Sequence, residues 1–153
     1  MKIITNTPTI TTVAYTTGDA VGGVLTFSIG SEPKTCLISR IEVFEDAVTP
    51  VNGDLSLHLF LVPGLAASDN AALAFPIAHV KYGNYLNEFK LDTWETVPVT
   101  GAVGTVRRAV WDEQQTVYPL WKGTMYGQLR ANAAATYATT GALSVRLWVA
   151  EYA

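Results

Sequence analysis

The sequence predicts an all-β domain: an antiparallel β-sandwich of about eight strands, of jelly-roll or related Greek-key type. Three observations carry this. Two stretches alternate cleanly with the period of a strand: Leu55, Leu57, Leu59 and Leu61 oppose Ser56, His58, Phe60 and Val62, and Leu143, Val145, Leu147 and Val149 oppose Ser144, Arg146 and Trp148. A helix would spread those leucines around its circumference. Turn-forming residues also recur between apolar runs, at Gly18–Gly23, Gly30–Pro33, Asn52-Gly53 and Pro63-Gly64. Finally, one tight turn combined with several long connections favours a Greek-key sandwich over an up-and-down barrel.

The elements follow in order. Ile3 to Thr12 is rich in threonine and isoleucine, which favour extended backbone, while Pro8 restricts pairing to an edge or a free arm. Residues 1–12 read as an extended N-terminal arm and 13–153 as a single sandwich domain. Thr9–Tyr15 reads as a first strand, Gly18–Gly23 as a glycine-rich turn and Val24–Ile29 as the next strand. Thr35–Glu45 is a long strand, with Leu37, Ile41 and Val43 on one face and Arg40, Glu42 and Phe44 on the other. Asn52-Gly53 supplies two residues tolerant of positive φ, which predicts that Leu37–Glu45 and Leu55–Val62 pair as a hairpin. Ser68 or Asp69 is placed to cap one or two helical turns in Leu65–Phe75. Tyr82–Val99 reads as extended and Pro98–Gly104 as a loop. Thr105–Trp111, Thr116–Leu120, Thr124–Arg130 and Ala142–Ala150 are strands, and Ala131–Ala135 is a loop despite its alanines.

Composition excludes some function classes. The chain of 153 residues can bury roughly 68–70% of its unfolded surface as one domain. Only 15% of residues are charged, against roughly 25% in ordinary soluble domains, which leaves neutral surface for packing against partners. Net charge is −3 with no basic cluster, so a nucleic-acid partner is disfavoured. No secretory h-region follows Met1, and no apolar run approaches the ~20 residues of a membrane helix. The expectation is a soluble protein made in a cytoplasm. Cys36 has no second cysteine to pair with and reads as a small buried hydrophobe.

No catalytic or cofactor constellation emerges. His58 and His79 are the only histidines, and neither belongs to a metal-ligand spacing. Asp19, Glu45, Asp46, Asp54 and Asp69 lie in or beside turns, where carboxylates cap backbone donors. Gly18–Gly23 lacks the lysine of a phosphate loop, and no G-x-S-x-G motif exists. Trp94, Trp111, Trp121 and Trp148 either stack on sugars, as in lectin-like modules, or fill a core or subunit interface. Trp148, outward-facing beside Arg146, is the best interface candidate.

Several blocks in order carry a resemblance: Ala14-Tyr15 before Gly18-Asp19-Ala20-Val21-Gly22-Gly23, a strand ending Phe44-Glu45-Asp46, Leu55–Pro63 with its Leu-Phe-Leu-Val-Pro ending, and Ser68-Asp69-Asn70-Ala71-Ala72. Together they resemble capsid decoration (cement) proteins, small head structural proteins of tailed bacteriophages. The resemblance covers residues 14–72. It implies a non-enzymatic virion protein on the capsid surface, assembled in the host cytoplasm, with the major capsid protein and itself, as a homotrimer, for partners. It supplies no catalytic, cofactor or metal residues. The expected capsid or subunit contacts are Ile3, Ile4, Thr9 and Ile10 in the arm, with Arg146 and Trp148. The alternative is a carbohydrate- or receptor-binding sandwich from a phage fibre or tail.

Overall fold

The computed structural model describes residues 1–30, 34–63, 67–73, 83–99, 105–112, 116–120 and 123–152. These contain ten strands and no helix: β1 (Lys2–Asn6), β2 (Ala20–Ser28), β3 (Lys34–Ala47), β4 (Leu55–Phe60), β5 (Tyr85–Leu91), β6 (Trp94–Val97), β7 (Thr105–Trp111), β8 (Thr116–Leu120), β9 (Thr124–Ala131) and β10 (Leu143–Tyr152). One sheet runs β1-β10-β3-β7-β6, with β8 also on β3; the other runs β2-β9-β4-β5. All pairings are antiparallel.

β7 and β8 share one edge of β3, β7 along Ile41–Ala47 and β8 along Lys34–Ile38, so six strands fill five positions. Setting aside the added edge strand β6, the order β1-β10-β3-β7 faces β2-β9-β4-β5. The chain changes sheet from β1 to β2, β2 to β3, β3 to β4, β5 to β6, β8 to β9 and β9 to β10. That succession is a jelly roll, as the sequence predicts.

The core lies between the sheets. Leu55, Leu57 and Leu59 of β4 meet Leu143, Val145, Leu147 and Val149 of β10 in one buried cluster, together with Phe27, Val43, Phe89 and Leu129. Both period-two readings are therefore correct. Cys36 is buried in the same cluster, and burial pushes its thiol up to about 11.

Several local expectations change. β3 and β4 are not a hairpin, because β4 pairs with β5 and β9 in the opposite sheet. Asn52 does take a positive φ of 53°. The crossing is fixed by side chains distant in sequence: the buried Glu45 carboxylate accepts the amides of Val51 and Asn52 at 2.7 and 2.8 Å, and Trp94 Nε1 donates to the Gly53 carbonyl at 2.9 Å. Secondly, a bulge opposite Trp148/Val149 shifts the phase of β3. Cys36 and Ile38 point inward before it and Ile41 and Val43 after it, so Leu37 lies on the other face.

Thirdly, Thr9–Tyr15 is irregular. Ile10 and Tyr15 plug the core from a loop, held by Ile10 N to Thr140 O at 3.1 Å and Tyr15 N to Ala135 O at 2.7 Å. The strand lies earlier: residues 2–6 do not extend outward as an arm but pair along β10, from Lys2↔Val149 to Asn6↔Val145. Lys2 Nζ donates to the carbonyls of Ser28 and Ile29, and Asn6 Nδ2 to that of Thr26, so β1 covers the outer edge of β2. Lastly, residues 67–73 form no helical turn. Asp69 Oδ1 instead accepts Tyr15 Oη at 2.6 Å and Gly22 N at 2.5 Å. Gly22 (φ 80°) sits in the bulge at the start of β2, where a Cβ would overlap the Pro8 ring. The expected turn at 18–23 is thus partly strand. Of the expected Ala131–Ala135 loop, Ala131 ends β9 and Ala135 bridges to Tyr15, with residues 132–134 between them outside any strand.

Candidate functional site

The outer face of the six-stranded sheet gathers charged and aromatic side chains from four strands, β3, β6, β7 and β10. Alternation in β3 places Arg40, Glu42 and Phe44 outward, and the register supplies their neighbours. Ile3, Trp148 and Arg40 form one row, Thr5, Arg146, Glu42 and Val110 the next, and Ser144, Phe44, Arg108 and Glu95 the third.

Glu42 is the centre of this array and only 2% exposed. Its Oε1 lies 3.1 Å from Arg40 Nε and 3.1 Å from Arg108 Nη1, and its Oε2 accepts Trp148 Nε1 at 2.8 Å. Arg108 also donates to Glu95 Oε1, from Nε at 2.8 Å and from Nη2. The Glu95 hydrogen bond, with Glu42 adding to it, holds the Arg108 guanidinium above its usual value. The Arg146 guanidinium carbon lies 4.3 Å from the centroid of the Phe44 ring, a cation–π contact. Trp148, Arg108 and Arg146 therefore each have a polar or aromatic partner within this face. Arg40, Arg108 and Arg146 share this face with Glu42, Glu95 and, two residues after Phe44 on β3, the exposed Asp46, so it carries charges of both signs.

The outer face of the four-stranded sheet is different. Ser56, His58, Phe60 and Gln128 point away from the core yet are fully buried. Ser56 Oγ donates to Glu88 Oε1 at 2.7 Å, and His58 Nδ1 lies 3.3 Å from Tyr85 Oη. Burial pushes His58 down to about 4, with Glu88 opposing and Arg130 assisting, so its imidazole is neutral at pH 7. Ser56 and His58 are both on β4 and neither bonds the other, so they form no nucleophile–base pair. Among the described residues, no group of three or more His, Cys, Asp and Glu side chains is placed to hold a metal ion.

Of the six expected contact residues, the structure brings three together. Ile3, 49% exposed, sits beside Trp148, and Arg146 lies one row away. Ile4 packs half-buried against the core and Ile10 is 1% exposed within it, so neither is a free contact; Thr9 lies apart in an exposed loop. Of the other tryptophans, Trp94 bonds Gly53 and Trp111 packs edge-on to Phe89 at 4.5 Å, while His79 and Trp121 lie outside the described residues. Glu42, Arg40, Phe44, Arg108 and Glu95 were missed as site residues. The available signal was Arg40-x-Glu42 on one face of an apolar strand, an ion pair where a solvated face needs none. Among the described residues, no helix is long and apolar enough to cross a membrane.

Comparison with family models, with curated proteins and with solved structures finds no match. The fold is an antiparallel sandwich that carries a paired-charge and aromatic array on one outer face.

Proposed function

We propose that this chain is a non-enzymatic bacteriophage structural protein, a decoration protein that binds the outer surface of a capsid and stabilises it. The major capsid protein and further copies of the chain, in a trimer, are its partners. The observation that carries the reading is the Glu42-centred array of Arg40, Arg108, Arg146, Trp148 and Phe44. Arginine and tryptophan are the residues that dominate interface energies, and here hydrogen bonds and stacking have already removed much of their rotamer freedom. The residue blocks in 14–72 supply the virion context.

The test is cosedimentation with undecorated capsids of the source phage, using Trp148→Ala and Arg146→Glu. Each should weaken binding at least tenfold while leaving the thermal melt within a few degrees, because both side chains are only half-buried. Full-strength binding by both variants would overturn the reading. Sedimentation equilibrium of the purified protein and of decorated particles reports the trimer. Removal of residues 1–12 is a poor test, since it deletes β1 from the sheet and Ile10 from the core.

A further inference from the structure

We infer that the β5 edge of the sandwich carries a cleft for a neutral saccharide, a site that meets the proposed capsid-binding face at Val110. Two concavities meet there. One, of about 300 Å³, is lined by Asp54, Glu88, Lys90, Asp92, Arg130 and Asn132. The other, of about 420 Å³, shares Glu88, Lys90 and Asp92 as a common wall and adds Thr93, Val110 and Trp111. Both volumes lie within or near the lower part of the range of small-molecule sites, roughly 300–1,000 Å³.

The lining is built. Asn132 Nδ2 donates to Asp54 Oδ1 at 3.0 Å and to the buried Ser56 Oγ at 2.8 Å, and Ser56 donates onward to Glu88 Oε1 at 2.7 Å. This relay positions Glu88 from beneath the sheet surface. Its Oε1 is committed to Ser56, and Oε2 takes no hydrogen bond from the described residues. Arg130 Nε, on the opposite wall, is buried with no hydrogen-bond partner among them.

The chemistry selects the ligand class. Three carboxylates against two cations give the lining a net negative charge, which disfavours phosphate, sulfate and sialylated ligands. The lining holds both acceptors (Asp54, Glu88, Asp92) and donors (Lys90, Arg130, Asn132), which suits hydroxyls that both donate and accept. Val110 and Trp111 at one end provide apolar surface for the C–H face of a pyranose ring.

The experiment is a glycan array carrying neutral, sialylated and sulfated oligosaccharides, followed by titration of the best neutral binder with the parent protein, Glu88→Gln, Lys90→Ala and Trp148→Ala. The expected result is retention of neutral glycans, at least a tenfold weakening in Glu88→Gln and in Lys90→Ala, and unchanged affinity in Trp148→Ala. Lys90 is exposed, so its truncation leaves the fold intact and keeps the test decisive. Absence of glycan binding, a preference for anionic glycans, or parental affinity in both cleft variants would overturn the inference. Capsid binding is read on the same variants, so the two surfaces fail or stand separately.

Discussion

On the four-stranded sheet, the outward residues Ser56, His58, Phe60 and Gln128 are buried, whereas on the six-stranded sheet Arg40, Phe44, Arg146 and Trp148 keep part of their surface in solvent. The first face is covered in part by the chain itself. Residues 67–73 lie along the start of β2, where Ala20 N donates to Ala71 O and Leu73 N to Gly18 O, both at 2.6 Å. Leu73 and Ala67 then pack with Ala20, Phe60, Tyr85 and Tyr126 into a second small core. The other face relies on paired charges and stacked aromatics. One face therefore contributes to stability through burial, while the other is held by paired charges and stacked rings that add little net stability.

Substitutions can break this contrast. Phe60→Ala, in the second core, should destabilise the protein by about 3–5 kcal/mol, and Leu57→Ala, in the main core, by about 2–5 kcal/mol. Urea melts check both, and less than about 1 kcal/mol for Phe60→Ala would mean that the outer face of β4 is not sealed. Glu42→Ala should cost less, about 1–3 kcal/mol, because Arg40 and Arg108 are near 30% exposed and turn to water when their partner goes. Its larger effect should be on capsid binding, since the arginines and Trp148 lose their common anchor.

Smaller effects sharpen the comparison. His58 titrates at about 4 when folded against 6.5 as a free side chain. The unfolded chain therefore takes up the proton first as pH falls, and His58 favours the fold fully above pH 6.5 and progressively less between 6.5 and 4. Stability should fall by about 1–2 kcal/mol from pH 7 to pH 5, and His58→Gln should flatten that part of the profile. Lys2→Ala should cost the least, about 0.5–1 kcal/mol in a urea melt, while uncovering the edge of β2 and raising self-association at high concentration.

The parts of this fold that were legible in the sequence are those whose burial is regular along one strand. The leucines of β4 and the alternation of β10 needed no knowledge of partners. Asn52-Gly53 misled because its local signal is real, with Asn52 at positive φ, while the route of the chain depends on Glu45 and Trp94, residues 7 and 42 positions from Asn52. Thr9–Tyr15 misled because extended propensity suits an irregular plug as well as a strand, and Ile10 and Tyr15 enter the core without a ladder. The Glu42 array draws on β3, β6, β7 and β10, and the cleft on β5, β7, β9, the residues just after β5 and β9, and Asp54 just before β4. No window of sequence contains either.

The place of β10 between β1 and β3 has a consequence for biosynthesis. During translation the first strand leaves the ribosome more than a hundred residues before the strand it pairs with, and β2 waits comparably long for β9. Until residues 143–152 emerge, β1 has no ladder partner, one edge of β3 is bare, and Leu147 and Val149 are missing from the core. Such long-range pairing closes slowly and leaves strand edges open to other chains meanwhile. Folding of this sandwich is therefore a late, nearly all-at-once event. Nascent chains on one message, held close together with β1 and β3 unpaired, are the stage most exposed to mispairing and most in need of a chaperone.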